Sequence, residues 1–286
     1  MSKDEQNKQA QTAKNSEASV TDNPWERLRA FTDARIGLGR AGISIPTKHS
    51  LAFQLAHAKA QDAVHTPLSF ENISTDLNAL KEVSDLGTLA LNSQAKNRQE
   101  YLQRPDFGRL LNDPSCELLN QDQGNKNIDY DLAIVVVDGL SAFAIEQNAA
   151  PFLAELLPRL GAREALSESW NIAPICIVEQ GRVAIGDHIG TLLNAKSVLV
   201  LIGERPGLSS PDSMGLYLTW SPKLNLTDAS RNCISNIRQA GMGYSEAAQK
   251  ATYLLNEARI KKLSGVQLKD RSEDESFLEA ETKKPA

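Results

Sequence analysis

The sequence predicts an α/β protein with a doubly wound, mostly parallel sheet, preceded by a helical N-terminal region. Strands are predicted at residues 131–137, 172–179 and 198–202, and the aliphatic run at 198–202 is too uniformly apolar for a strand with one face in water. Such runs are typical of strands that helices cover on both sides. The segments between them have helical composition, and this alternation indicates a doubly wound sheet of the Rossmann or flavodoxin-like type.

Length and composition limit the class of protein. The chain has 286 residues, of which 41% are hydrophobic, so it can bury a substantial core. The net charge is −5 and no basic face with interleaved aromatic residues is evident, which argues against nucleic-acid binding. Three widely spaced cysteines fit no metal pattern and suit a reducing cytoplasm. Apolar runs of strand length and the lack of a signal-peptide core also favour a cytoplasmic protein.

The N-terminal part begins with a polar stretch. Residues 1–23 are rich in Gln, Lys, Asn, Ser and Ala, so we predict a disordered tail. Asn23 and Pro24 are suited to cap and begin a helix. The sequence GLGRAG at 37–42 matches the glycine pattern of a dinucleotide loop, but no aliphatic strand precedes it and Pro46 follows instead of a helix. We interpret it as a flexible connection.

Residues 24–125 are predicted to form a mainly helical region. A helix over 48–64 carries His57, but His57 and His65 are too far apart in sequence to be neighbouring ligands on one helical face. The segment also contains a stretch of helical composition at 86–98.

Residues 126–267 carry the predicted α/β domain. A helix is expected from Ser141, and Pro151 is expected to begin a separate helix because proline is costly in a helix interior. The next helix is predicted over 183–194, before the strand at 198–202.

The C-terminal part of the domain contains one more strand and one more helix. Alternating apolar residues predict a strand over 216–220, and an amphipathic helix is expected from Ser245, with Gly265 ending it. The charged tail, residues 268–286, is predicted to be disordered.

Several separated motifs follow one another in a recognisable order: ARIGLGRAG at 34–42, GERPG at 203–207, the turn WSP at 220–222 and RNCISNI at 231–237. With them the chain, over residues 25–268, resembles the small, light-chain subunit of ethanolamine ammonia-lyase. The resemblance implies an adenosylcobalamin-dependent lyase that converts ethanolamine to acetaldehyde and ammonia by a radical mechanism. It also implies a large-subunit partner that holds the substrate, six copies of each subunit, and the option of packaging in a bacterial microcompartment.

Three residues match positions that contact the cofactor in the resembled family: Val183, Glu204 and Cys233. Val183 is expected at a helix start, where free N–H groups can meet a polar group. Glu204 follows a strand, and its carboxylate can accept N–H donors from the amide arms of a corrin. Cys233 offers a small, soft side chain that we expect at another strand end. The alternatives are helix core for Val183, an ion pair with Arg205 for Glu204 and a buried filler for Cys233.

No nucleophile–base pair, carboxylate pair or metal cluster is evident in the sequence, which indicates a binding role beside a cofactor and a partner. Asp187 and His188 are adjacent, so the Asp-x-His-x-x-Gly motif of many cobalamin enzymes is absent and His188 is expected on a helix surface. The rival interpretations are a non-catalytic nucleotide-responsive or scaffolding module on a flavodoxin-like sheet, and a stand-alone Rossmann-type transferase. Fold alone does not decide between them.

Overall fold

The computed structural model describes residues 23–126, 129–161 and 169–272, and of residues 122–126 only the backbone. The chain divides between His57 and Ala58 into two compact units. The tails that we predicted to be disordered lie outside the described residues, except for Asn23 and residues 268–272. Within the described ranges, no helix combines the length and the apolar character needed to cross a membrane.

The described part of the first unit begins with a 3-10 helix, Pro24–Phe31, at the place where the capping residues predicted a helix. The predicted cap is confirmed, because the Asn23 side chain accepts a hydrogen bond from the Trp25 N–H at 3.2 Å. The Asn23 amide also donates to the Gly37 carbonyl at 2.6 Å. The glycine-rich segment therefore follows a 3-10 helix instead of a strand, which is the context that excludes a dinucleotide loop.

The described ranges contain eight α-helices, which are labelled in chain order. The first confirms the prediction over 48–64, and the last begins one residue before Ser245. They are α1 Thr47–His65, α2 Phe70–Asn78, α3 Lys81–Leu86, α4 Arg98–Gln103, α5 Asp113–Lys126, α6 Ala142–Gly161, α7 Ile185–Leu192 and α8 Tyr244–Lys261.

A single six-stranded sheet organises the second unit. Its strands are β1 Thr88–Asn92, β2 Leu132–Val137, β3 Ile175–Glu179, β4 Ser197–Gly203, β5 Met214–Trp220 and β6 Arg231–Ile237, in the spatial order β1-β3-β2-β4-β5-β6. The pairs among β1, β3, β2 and β4 are parallel, whereas β5 pairs antiparallel with both β4 and β6. The α/β class is confirmed, but the sheet is mixed, so a Rossmann or flavodoxin-like fold is not established.

Three local predictions about secondary structure were wrong. The last helix ends at Lys261, with Lys262 in the left-handed conformation at its C-cap, rather than at Gly265. Residues 86–98 contain β1 rather than a helix, because Thr88–Asn92 pairs with β3 at the sheet edge. Pro151 lies inside one continuous helix, α6, and does not begin a second one. The ring of Pro151 is at an exposed position, whereas its neighbours Phe152 and Leu153 are fully buried. Burial of that apolar face holds the helix together across the missing N–H.

Helices cover the two faces of the sheet unequally. On one face α2, α6 and α8 pack over β2, β4, β5 and β6 and enclose the larger apolar core. On the other face α5 and α7 cover the strands from β1 to β4. The side chains of β5 and β6 on this second face include the half-buried Tyr217 and the exposed Cys233. This part of the sheet surface is accessible to a ligand.

Candidate functional site

The carboxyl ends of the parallel strands meet at a cavity of about 420 Å³. Ligands of open α/β sheets bind at this edge because the loops that leave the strands converge there. The loops after β2, β3 and β4 all contribute to the walls. The lining residues are Tyr101, Gly139, Leu140, Arg182, Val183, Ile202, Gly203, Glu204, Arg205 and Tyr217.

A buried carboxylate fixes the loops beneath the cavity. Asp138, the residue after β2, is fully buried and accepts hydrogen bonds from the N–H groups of Gln180 at 2.9 Å and Gly181 at 3.1 Å. Arg98 forms an ion pair with it at 3.3 Å and also donates to the Gly139 carbonyl at 2.8 Å. Burial raises the pKa of Asp138 to about 6, against the opposing effect of Arg98 and the amide donors. The loops after β2 and β3 are thereby held in one arrangement.

Close backbone packing brings the loop after β2 against the end of β4. Gly139 has a φ of +58°, and a Cβ there would lie 2.3 Å from the Gly203 carbonyl oxygen. A Cβ on Gly203 would lie 2.0 Å from the Ser141 carbonyl oxygen. Only glycine permits both approaches, and these two positions set the width of the cavity on this side.

Two guanidinium groups stack on the ring of Tyr101. Arg98 lies 4.8 Å and Arg182 4.1 Å from its centroid, distances suited to cation–π attraction. The Tyr101 hydroxyl donates to the Gly181 carbonyl at 3.1 Å, and burial raises the pKa of this phenol strongly. The stack holds Arg182 in place, and with it the neighbouring Val183.

Glu204 extends from the loop that follows β4, as the sequence predicted. Its Oε2 accepts hydrogen bonds from the Ser213 hydroxyl and, at 3.4 Å, from the Asn236 N–H. A Cβ on Gly215 would lie 2.8 Å from Oε1, so the glycine makes room for the carboxylate. The expected alternative, an ion pair with Arg205, is not among the ion pairs of the described ranges. Instead the carboxylate is oriented by Ser213.

Val183 lines the cavity whereas Cys233 does not, and one expectation about these two residues was wrong. Val183 is half-buried and stands two residues before α7 begins at Ile185, in the turn that leads into that helix. Cys233 lies in the middle of β6, directly opposite Tyr217, rather than at a strand end. It is exposed, so it is also no buried filler. RNCISNI forms the whole of β6, so its third residue, Cys233, cannot lie at the end of the strand.

Tyr217 lies next to the predicted site residues, but we did not predict it as a site residue from the sequence. It lines the cavity together with Val183 and Glu204, and it is paired directly with Cys233 across β5 and β6. Burial raises the pKa of Tyr217, with contributions from Cys233 and the Glu204 carboxylate. The alternation of MGLYLTW could have indicated it, since Tyr217 falls on the opposite face from the buried Leu216 and Leu218.

A second, more polar cavity of about 540 Å³ adjoins the first and shares Arg182 and Val183 with it. Its remaining lining residues are Pro105, Arg109, Ala184, Asn225, Leu226, Thr227, Asp228 and Arg231. Val183 thus separates two concave surfaces at the same edge of the sheet.

His188 was expected on a helix surface but is partly buried. Its Nδ1 accepts a hydrogen bond from the Leu111 N–H at 3.1 Å, and burial lowers its pKa. The contact shows that His188 fastens α7 to the segment before α5. Within the described ranges, no group of three or more His, Cys, Asp or Glu side chains is arranged to hold a metal ion.

Comparisons with known proteins give one consistent result. A family model described as ethanolamine ammonia-lyase light chain matches residues 22–269. The ethanolamine ammonia-lyase small subunit of Ralstonia nicotianae is 51% identical over 256 residues, which cover 90% of this chain and 92% of the relative. That of Azotobacter vinelandii is 52% identical over 254 residues, 89% of this chain and 91% of the relative. These relatives are subunits of a lyase that has more than one kind of subunit.

Proposed function

The chain belongs to the ethanolamine ammonia-lyase light-chain family, and we propose that it is the small subunit of an adenosylcobalamin-dependent enzyme that converts ethanolamine to acetaldehyde and ammonia. In this proposal the chain binds the corrinoid and a large subunit holds the substrate. The observation that carries it is the cavity at the carboxyl ends of the strands. Val183 and Glu204 line this cavity, and Cys233 adjoins it through Tyr217.

The residues present fit the periphery of a corrin. A corrin bears primary amide side chains around an apolar ring, so a surface for it needs hydrogen-bond acceptors beside small apolar groups. Glu204 supplies the acceptor, Val183 the apolar contact, and Cys233 a small exposed side chain on β6. A cavity of about 420 Å³ suits one edge of such a molecule and leaves the remainder for the large subunit. When bound, adenosylcobalamin supplies an organic radical by homolysis of its cobalt–carbon bond.

The chain's own contribution is then to bind and orient. Asp138 and Arg98 hold the loops under the cavity, and Ser213 fixes the direction of the Glu204 carboxylate. Preformed contacts of this kind lower the cost of ordering a site when a ligand binds. Removal of the Glu204 carboxylate should therefore weaken retention of the cofactor.

The proposed large-subunit contact is supported by the apolar surface of the N-terminal unit. Trp25 is 66% exposed, Phe31 86% and Ile43 fully exposed, and Leu51 and Leu55 are also exposed. Exposed apolar side chains in such number mark interaction surfaces in soluble proteins. We propose that residues 24–125 contact the large subunit, that residues 126–267 form the cobalamin-binding domain, and that the assembly contains six copies of each subunit. Its proposed place is the cytoplasm, with packaging in a bacterial microcompartment as an additional option.

Co-expression with an ethanolamine ammonia-lyase large subunit tests the proposal. We expect the two chains to co-purify, to retain a corrinoid with its visible absorption spectrum, and to release acetaldehyde from ethanolamine. Glu204→Ala should lower corrinoid retention, whereas the exposed Glu246→Ala, on α8, serves as the matched control. A chain that purifies alone and colourless, and gains no activity with the large subunit, would contradict the proposal. Activity without a partner would instead favour a stand-alone transferase.

A further inference from the structure

The hydroxyl of Tyr217 differs from other tyrosine hydroxyls of this unit in its hydrogen bonding. The Tyr101 hydroxyl donates to the Gly181 carbonyl at 3.1 Å, and that of Tyr244 to Asn148 Oδ1 at 2.8 Å. Tyr217 is paired directly with Cys233 across β5 and β6, and sulfur is a weak acceptor. A half-buried tyrosine normally finds a strong partner. Tyr217 lines the cavity at the strand ends, and among the described residues no oxygen acceptor is found for its hydroxyl, so this donor is available to a ligand.

The phenol of Tyr217 remains protonated over the ordinary pH range. Burial raises its pKa, and the carboxylate of Glu204 adds to the rise because a negative charge opposes formation of a phenolate. Tyr217 can therefore always donate a hydrogen bond. Gly215 and Tyr217 are two residues apart on β5 and face the same side of the sheet, and the Glu204 carboxylate lies over Gly215, so the two groups are neighbours.

Glu204 presents the complementary group. The hydrogen bonds that its side chain accepts from Ser213 and Asn236 both go to Oε2. Among the hydrogen bonds of the described residues none goes to Oε1, so this oxygen can accept a further donor. One cavity thus offers a neutral donor and a charged acceptor.

A donor next to an acceptor matches a primary amide, which has one carbonyl oxygen and two N–H groups. We propose that Tyr217 and Glu204 form a two-point clamp for one amide side chain of the corrinoid. In this clamp the Tyr217 hydroxyl donates to the amide oxygen and Glu204 Oε1 accepts from the amide nitrogen. The inference rests on the proposed corrinoid-binding function and adds Tyr217 as a positioning residue that selects an amide over a carboxylate.

The selectivity of the clamp follows from its charges. A carboxylate on the same side chain would place a negative charge against Glu204, and like charges brought together are strongly unfavourable. With Glu204→Gln, the glutamine amide and the Tyr217 hydroxyl could both donate to a carboxylate. The preference would then reverse, which a purely structural role of either residue would not produce.

Equilibrium binding to the assembled large- and small-subunit complex tests the clamp without an activity assay. The probes are hydroxocobalamin and its isomeric monocarboxylic acids, in each of which one propionamide is hydrolysed to a carboxylate. Tyr217→Phe should weaken hydroxocobalamin binding about threefold to tenfold, as expected for the loss of one neutral hydrogen bond. Tyr244→Phe removes a hydroxyl that bonds to Asn148 on the opposite face of the sheet and should leave the affinity unchanged.

The unmodified complex should bind one of the acids at least about tenfold more weakly than hydroxocobalamin, given the like charges. The Glu204→Gln complex should bind that same acid better than it binds hydroxocobalamin. Equal affinity of Tyr217→Phe and the unmodified complex, or equal binding of every acid by the unmodified complex, would overturn the clamp and leave the corrinoid function standing. Failure of the unmodified complex to bind any corrinoid would overturn the proposed function, and the clamp with it.

Discussion

The guanidinium of Arg231 forms two hydrogen bonds with the carboxylate of Asp187, both at 2.7 Å. Both side chains are 2% exposed, and Arg231 also donates to the Thr219 hydroxyl and the Leu226 carbonyl. The pair joins the first turn of α7 to the start of β6, on the face of the sheet beside the two cavities. It fixes the helix that Val183 precedes.

Asp187→Ala should be strongly destabilising because it removes the buried partner of Arg231 and leaves only the longer ion pair with the exposed Asp228, at 3.4 Å. We expect the free energy of unfolding to fall by about 3–5 kcal/mol in urea titrations. The exposed pair of Arg104 and Asp106 provides the control, and Asp106→Ala should destabilise the protein far less because water screens this pair. Similar losses in both variants would show that burial does not govern the contribution of the first pair.

The His188 contact makes stability depend on pH. Burial lowers the pKa of His188 below its ordinary value of 6.5, so the folded protein binds the proton less readily than the unfolded chain does. Stability from this site is therefore complete above 6.5 and is lost as the pH falls below that value. His188→Asn keeps an acceptor near Nδ1 and removes the titration, so the decline below pH 6.5 should become shallower. The exposed His57→Asn is the matched control, and an unchanged slope in His188→Asn would contradict this explanation.

The close approach at Gly203 predicts a large effect of one methyl group. In Gly203→Ala the new Cβ would meet the carbonyl oxygens of Ser141 and Asp138 at 2.0 Å and 2.5 Å, so the backbone must move. We expect a loss of about 1–3 kcal/mol in thermal or urea unfolding, as for overpacking in a core. Gly161→Ala, at the end of α6, meets open space and should be nearly neutral. Equal stability of the two variants would refute the close approach.

Val183 is expected to affect ligand binding more than stability, because it is half-buried and borders both cavities. Val183→Trp should obstruct the corrinoid edge and lower its retention about tenfold, since ligand sites depend on a preformed concave shape. Its free energy of unfolding should change by less than about 1 kcal/mol. Ile260→Trp, at a position 73% exposed, controls for the added indole. Full retention of the corrinoid by Val183→Trp would remove this residue from the site.

The parts of the fold that could be predicted well from the sequence are the strands that form uniformly apolar runs. The cores of β2, β3 and β4 are uniformly apolar because both of their faces are covered, and such runs have few other interpretations. The residue pattern of a strand does not show its direction, so the antiparallel pairing of β5 with its two neighbours could not be predicted. The strand β1 was missed because it is short, lies at the edge and alternates in burial only weakly.

A site residue could be predicted from the sequence when its place directly after a strand determines where it lies in the fold. Glu204 directly follows a buried strand, and such residues must reach the edge where the loops meet. Cys233 was placed wrongly because its small polar neighbours resemble a strand end but form the strand itself. Tyr217 belongs to the site because it is paired with Cys233 on the neighbouring strand. The separation of two residues in the sequence does not show which residues face each other across a pair of strands.

The most direct test is a structure of this chain assembled with an ethanolamine ammonia-lyase large subunit and bound adenosylcobalamin. We expect the corrinoid to lie at the interface of the two subunits, against Val183 and Cys233. One of its amide side chains should then lie within hydrogen-bonding distance of Glu204 and the Tyr217 hydroxyl. A corrinoid held by the large subunit alone, or seated in this chain away from the carboxyl ends of the strands, would contradict this expectation.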